Sequence, residues 1–389
     1  MESSNTAFVT ELRLSSFRSH RGRVLRLTPF TLLTGPSGSG KSAVLEAFGA
    51  LARLGNGDTL PEVFGAESAG GPDVYVPHDA VPDAQRRRGF RLGCTVDGPS
   101  GPVRLDLAVQ VEPDLRVAGE RLSAADGRTL MSTAQRDPGR RQVQAEWHTA
   151  GTSRVTRAPL PDDRLATALL PLRIAGTTAA QREVLAAVEQ VVVALRSVFR
   201  CAPRPEAMRA PVDVSDGMLR PDCANLAAVL RRTRTECTTR HAALVEAVRA
   251  GCSGPVEGLA AVACDPGRVR AVLERGSGER PLPVELLGDG ELRYLGLALV
   301  LLTGPGVLRV DPVEELLPAR QALAVLADDL DGFLDRRQSA RLLELAARMC
   351  RRGHIRLLGA VHGPVDSSLP DVSLVDLGRE RIPEQVARS

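Results

Sequence analysis

Thr34 to Leu54 reads TGPSGSGKSAVLEAFGALARL, and it holds Lys41, the only lysine among the 50 Lys and Arg residues of the 389-residue chain. Abundant Arg, Ala and Val with few Ile mark a GC-rich coding bias. The avoidance of lysine is therefore genomic, and keeping one lysine calls for a chemical reason. Gly35-Pro36-Ser37-Gly38-Ser39-Gly40-Lys41-Ser42 matches G-x-x-x-x-G-K-[ST]. Glycines let the backbone curl so that successive N–H groups point inward at an anion. A helix that follows adds its positive end. An ammonium is a compact charge that reaches β- and γ-phosphates, whereas a forked guanidinium fits that space poorly. The Ser42 hydroxyl suits Mg²⁺. The stretch thus reads as a phosphate loop, with ATP and Mg²⁺ as the cofactors.

The flanks fit a strand–loop–helix unit. Phe30–Thr34 is strand-like, and Val44, Leu45, Phe48, Leu51 and Leu54 have helical spacing up to a stop at Gly55. Upstream, Phe8–Leu14 and Val24–Leu27 also read as strands. Asn56–Asp83, rich in Gly, Pro and Asp, reads as irregular. Gly89–Arg157 is β-like, with strands at Phe90–Val96, Val103–Val111 and Val143–His148. Helices are expected over Thr178–Phe199, Asn225–Arg249, Glu291–Leu302 and Ser339–Arg351. Further strands are expected at Val269–Leu273, Ile355–Val361 and Val372–Leu377. The class is α/β.

Bulk properties exclude several functions. Aromatics make up only 3% of the chain, so the core must be built from Leu, Val and Ala. A net charge of +3 is too small to indicate nucleic acid by itself. Arginine runs such as Arg86–Arg88 and Arg231, Arg232 and Arg234 read first as solvated faces. The seven cysteines are scattered without C-x-x-C spacing, and the six histidines form no metal cluster. The N-terminus MESSNTAFVTELRL lacks a signal pattern, and the longest apolar run, Leu295–Leu302, is far short of the ~20 residues that span a bilayer. The expected place is the cytoplasm, with no membrane partner. Neither G-x-S-x-G nor H-E-x-x-H occurs.

LRLSSFRSH (Leu12–His20), followed by the strand and phosphate loop, resembles the N-terminus of RecF, SMC and OLD-type ATP-binding cassette ATPases. The resemblance implies that Arg18 and Ser19 lie near the nucleotide. PDCANLAAVL (Pro221–Leu230) is similar to a stretch common in the RecF/OLD-like group. VELLGDGELRYLGLALVLL (Val284–Leu302) resembles that group's signature segment, which implies that Gly288, Asp289 and Gly290 cap the γ-phosphate of an opposite subunit. Gly288 replaces the usual serine, so one hydroxyl is missing.

LAVLADDLDGFLD (Leu323–Asp335) is similar to the Walker B strand, acidic pair and D-loop of the same group. By that likeness Asp328 orients the Mg²⁺ shell, Asp329 holds the attacking water, and His362 in LLGAVHG is the switch histidine. VLRVDP offers a second choice, since Asp311 lies 24 residues after Leu287, the usual interval, and Asp328 lies 41 after it. Asp328 is preferred because it brings the D-loop and histidine along. Neither acid precedes the usual glutamate. Aspartate has one methylene less, roughly 1.5 Å of reach, which implies slow hydrolysis.

The expected architecture is a P-loop NTPase shaped like an ATP-binding cassette head. Residues 1–160 form an N-terminal lobe with the phosphate loop and an antiparallel β subdomain, 170–280 a helical lobe, and 281–389 a C-terminal lobe with signature, Walker B and histidine. The resemblance implies an ATP-driven homodimer acting on DNA in repair, recombination or phage defence. The alternative is a weakly hydrolysing ATP switch that regulates a protein partner. No nuclease motif is visible, so cutting would need a partner nuclease. An ATPase subunit of a transporter is a weaker third reading.

Overall fold

The computed structural model describes residues 6–65, 70–135, 139–148, 155–304, 306–308, 322–366 and 369–378. Asp311 lies outside the described residues. Three sheets and the helices around them are built from β1 (Phe8–Phe17), β2 (His20–Arg26), β3 (Phe30–Thr34), α1 (Lys41–Gly55), α2 (Leu60–Phe64), β4 (Arg88–Asp97), β5 (Val103–Glu112), β6 (Arg116–Ser123), β7 (Thr129–Ala134), β8 (Gln142–His148), β9 (Val155–Pro161), α3 (Ala166–Leu169) and α4 (Ala179–Arg196). Then come β10 (Val198–Cys201), α5 (Pro205–Met208), β11 (Val212–Asp213), α6 (Leu226–Glu236), α7 (Thr238–Gly251), β12 (Gly258–Asp265), β13 (Arg268–Glu274), β14 (Leu282–Pro283), α8 (Asp289–Leu302), β15 (Leu323–Ala327), α9 (Arg336–Arg351), β16 (Ile355–Ala360) and β17 (Val372–Asp376).

An eight-stranded antiparallel sheet runs β2-β1-β4-β5-β6-β7-β8-β9, and a five-stranded sheet runs β10-β15-β16-β3-β17. Every pair in the second sheet is parallel. A small antiparallel sheet joins β11, β13, β12 and β14.

The parallel sheet is a wall between two hydrophobic cores, and strand alternation sorts its side chains. Phe30 and Leu32 of β3, Val325 of β15 and Leu357 of β16 enter the core with α6–α9. Leu33, Leu326, Leu358 and Ala360 enter the other core, with α1, α4 and the antiparallel sheet. Successive side chains leave a strand on opposite faces, so burial on both sides demands near-continuous apolar runs such as LAVLA and IRLLGA. Four of the few aromatics form one cluster. Phe17, Phe64, Tyr75 and Phe90 pack with ring centroids 4.9 to 6.0 Å apart beneath the β1–β2 turn.

Three expectations are corrected. Asn56–Asp83 is not wholly irregular: Thr59 caps α2, accepting from Glu62 N while Glu62 accepts from Thr59 N. That capping box, with Pro61 in the first turn, satisfies N–H groups a helix start leaves open. The Asn225–Arg249 helix is broken at Cys237, whose φ of −151° is extended. Its neighbours Thr235, Thr238 and Thr239 are β-branched and poor helix formers. Thr178–Phe199 ends as a helix at Arg196, and Val198–Cys201 turns into an edge strand beside β15, in keeping with the strand preference of Val and Phe. The span 170–280 is thus helical only in part. No helix among the described residues is long and apolar enough to cross a membrane.

Candidate functional site

In a parallel sheet the carboxyl ends of all strands meet at one edge, and the loops leaving that edge form a crevice. Here β3 leads into Gly35–Gly40, β16 into Val361–Gly363, and β15 into Asp328–Asp335. The register sets Leu33 beside Ala360 and Gly359 beside Ala327, so the three loops leave at one level.

The first loop is built as an anion cradle. Gly35, Gly38 and Gly40 have φ of 132°, 81° and 89°, conformations that side chains resist. Lys41, only 6% exposed, curls its ammonium back into the loop, donating to the carbonyls of Gly35 (2.7 Å) and Pro36 (3.2 Å). Helix α1 starts there with no side-chain cap and no acidic residue in its first turn. Its first N–H groups and its positive end are thus left for an anionic ligand. Ser39 Oγ is buried with no hydrogen-bond partner among the described residues, a further group a phosphate oxygen can satisfy. These features fit a nucleotide triphosphate, and Ser42 beside them fits a Mg²⁺ ligand.

A pocket of about 520 Å³ opens over the loop, within the range of small-ligand sites. Ser37 to Ser42 form one wall, Arg18, Ser19 and Arg21 another, Val74, Val76 and His78 a third, and His362 closes it. Arg18 is fixed in place. Its backbone is left-handed (φ 51°), its N–H donates to Tyr75 O at 2.9 Å, and its guanidinium pairs with Glu46 of α1 at 2.8 Å while lying 5.1 Å from the Tyr75 ring centroid. The aromatic cluster under the turn therefore positions a cation over the pocket.

His20 supports the loop from beneath. It is 4% exposed, and its Nε2 donates to Gly40 O at 3.0 Å. Burial holds its pKa below the ordinary histidine value, against the opposing pull of the Gly40 bond. A Cβ on Gly40 would stand 2.4 Å from His20 Nε2. Gly40→Ala is expected to combine that clash with the cost of a left-handed alanine, about 2 kcal/mol together, and so weaken ATP binding roughly thirtyfold in a titration.

Asp329 and His362 are brought together, with Asp329 Oδ1 3.1 Å from His362 Nδ1. Asp329 is left-handed at φ 52°. Asp328 is exposed at the end of β15, and its Oδ1 accepts from Asp329 N at 3.1 Å. Neither aspartate lines the pocket; Asp329 reaches it through His362. Asp331, which the sequence reading passed over, anchors the histidine loop. Its carboxylate accepts from His362 N at 3.0 Å and Gly363 N at 2.6 Å. Asp329, Asp331 and His362 offer ligand atoms within 4.8 Å of one another, but the amide bonds to Asp331 make it a fastener of the loop.

Gly288, Asp289 and Gly290 stand apart from the pocket at the start of α8. Asp289 pairs with Arg209 at 2.7 Å, and Gly290 packs so closely under the Asp328–Asp335 loop that a Cβ would lie 2.5 Å from Phe333 O. Gly288 N donates to Glu291 at 3.3 Å, and the other Glu291 oxygen accepts from Ser253 N.

The parallel sheet, the phosphate loop after β3 and the loops converging at the same edge define an α/β fold of the P-loop kind. Residues 11–80 match the AAA domain family. A search of curated proteins finds no match. Similar solved structures include the SMC head domain from Thermotoga maritima (14% identity, TM-score 0.41, 92% of this chain and 89% of that one). An SmcHead bound to the C-winged helix domain of ScpA is 13% identical (TM-score 0.43; 92% and 90% covered). The recombination mediator protein RecF with ATP, of the RecFOR pathway, is 10% identical (TM-score 0.39; 96% and 98% covered).

Proposed function

We propose that the protein is an ATPase whose two copies close head to tail over two ATP·Mg, with closure coupled to a DNA transaction. The observation that carries this is the meeting of the Lys41 cradle and the Asp329–His362 pair at one sheet edge. Lys41 and the loop amides would hold the β- and γ-phosphates. Ser42 and Asp328 would hold Mg²⁺, which supplies charge neutralisation at the phosphates when bound. Asp329 is assigned to orient the attacking water and to share its proton with His362. Arg18 and Ser19 face the nucleotide from the β1–β2 turn.

The dimer rests on the resemblance, which has the signature segment serve the γ-phosphate of an opposite subunit. In keeping with it, the pocket is lined by the phosphate loop and His362 and not by Gly288–Gly290. DNA as the object of closure rests on the resemblance to RecF and SMC proteins. Recombination, repair and phage defence are its settings, and a nuclease would be a partner where cutting is needed.

Two residues favour the second reading, an ATP switch that acts on a protein partner. Asp329 has less reach than a glutamate, and Gly288 lacks a hydroxyl for the opposite phosphate. Two measurements separate the readings. Sedimentation with ATP·Mg is expected to convert monomer to dimer at micromolar protein. ATP turnover is expected to rise on adding DNA, and DNA binding to fall steeply with salt. Persistent monomer contradicts the dimer, and turnover indifferent to DNA favours the switch.

A further inference from the structure

Arg293 belongs to neither the phosphate loop nor the acid–histidine pair, yet it touches the backbone of Asp329. It stands in the second turn of α8 with its side chain 11% exposed. Its Nη2 donates to the main-chain oxygen of Asp329 at 2.7 Å and lies 3.7 Å from that residue's Oδ2. Its guanidinium carbon lies 5.7 Å from the ring centroid of Phe333, itself left-handed and 72% exposed. A nearly buried guanidinium is costly, and its Nε has no hydrogen-bond partner among the described residues. A methionine or leucine would fill the same space without that cost. Packing alone therefore does not account for an arginine here.

Asp329 gives the reason. A left-handed aspartate costs about 1 kcal/mol or more and needs outside support. The peptide plane after Asp329 is held at both ends: Leu330 N donates to Ala360 O at 2.8 Å, and Asp329 O accepts from Arg293 and from Gly332 N at 3.0 Å. Holding that plane sets the direction in which the Asp329 side chain leaves the backbone, toward His362 at 3.1 Å.

We propose that Arg293 is a positioning residue for the Asp329–His362 pair, locking the left-handed backbone of the acid and fastening it to the helix that begins at Gly288–Gly290. Any shift of that helix then passes to the acid through one charge-assisted hydrogen bond. The proposal rests on the ATPase reading for its effect on rate, but the geometry it asserts is tested separately.

The experiment uses the full chain with Arg293→Met, which keeps the stem and removes every donor, and Arg293→Lys, which returns one donor. Histidine labelled with ¹³C reports the His362 ring by NMR, assigned through the signal missing in His362→Gln. Arg293→Met is expected to displace the His362 signals while those of remote histidines stay put, and Arg293→Lys to bring them part of the way back. In turnover, Arg293→Met should lower kcat about tenfold or more with ATP affinity and dimer fraction at parental values, and Arg293→Lys should fall between. His362 signals unmoved in Arg293→Met overturn the proposal. So does a kcat loss matched by an equal loss of ATP affinity or of dimer. If Arg293→Met does not fold, Arg293→Lys decides alone: displaced His362 signals support the proposal, parental signals overturn it. A parent that turns over no ATP would sink the ATPase reading, while the His362 signals would still decide the positioning role.

Discussion

Asparagine at position 329 is expected to leave ATP·Mg binding at the parental level and to lower turnover by about a thousandfold, the middle of the range for loss of a general acid–base group. That factor corresponds to about 4 kcal/mol of barrier. The substitution isolates charge from shape. Asparagine has the same size as aspartate and tolerates a left-handed backbone as well, so the φ of 52° survives. The Arg293 bond to the main-chain oxygen also survives, since it involves no side-chain atom of residue 329. What disappears is the negative charge 3.1 Å from His362 Nδ1. Alanine would be a poorer probe, because it would lose the charge and resist the backbone together. Rapid-quench measurement of a single turnover checks the result. Parental turnover in Asp329→Asn would remove this residue from the chemistry and return attention to other acids.

Lys41→Ala is expected to have the second large effect. The Lys41 ammonium is the one lysine charge in the chain, held within the loop by two carbonyls at 2.7 and 3.2 Å. Charge-assisted hydrogen bonds contribute about 1.5–3 kcal/mol each. Losing contacts to two phosphates should therefore cost at least ~3 kcal/mol, or roughly a hundredfold in affinity. Lys41→Arg should recover little, although it keeps the charge and suits the chain's composition, because the forked head is too wide for the space the curled amine fills. A thermal melt without nucleotide separates loss of binding from loss of folding.

How much of this was readable in advance depended on sequence distance. The phosphate loop declared itself because its glycines, lysine and serine are consecutive and answer to one ligand. The central strands β3, β15 and β16 of the parallel sheet were visible as apolar runs, since both of their faces are buried, whereas the edge strand β10 was read as the end of a helix. The short helix at Leu60–Phe64 carried a local signal, Thr59 with Pro61 and Glu62 after it, that was outweighed by the surrounding glycines. Asp331 and Arg293 are different. Asp331 grips amides 31 and 32 residues away, and Arg293 reaches a carbonyl 36 residues away. Nothing in their neighbours' identities announces those contacts, which exist only once α8, β15 and β16 are packed. The Phe17, Phe64, Tyr75 and Phe90 cluster is of the same kind, drawn from four separate segments to support Arg18.

The most direct test is a calorimetric titration of ATP·Mg into the parent chain and into Lys41→Ala under identical conditions. The account predicts saturable binding by the parent, and affinity weaker by roughly a hundredfold in a variant that still melts cooperatively. Equal affinity in the two proteins would contradict it, because the nucleotide would then be held somewhere other than the loop that contains the chain's single lysine.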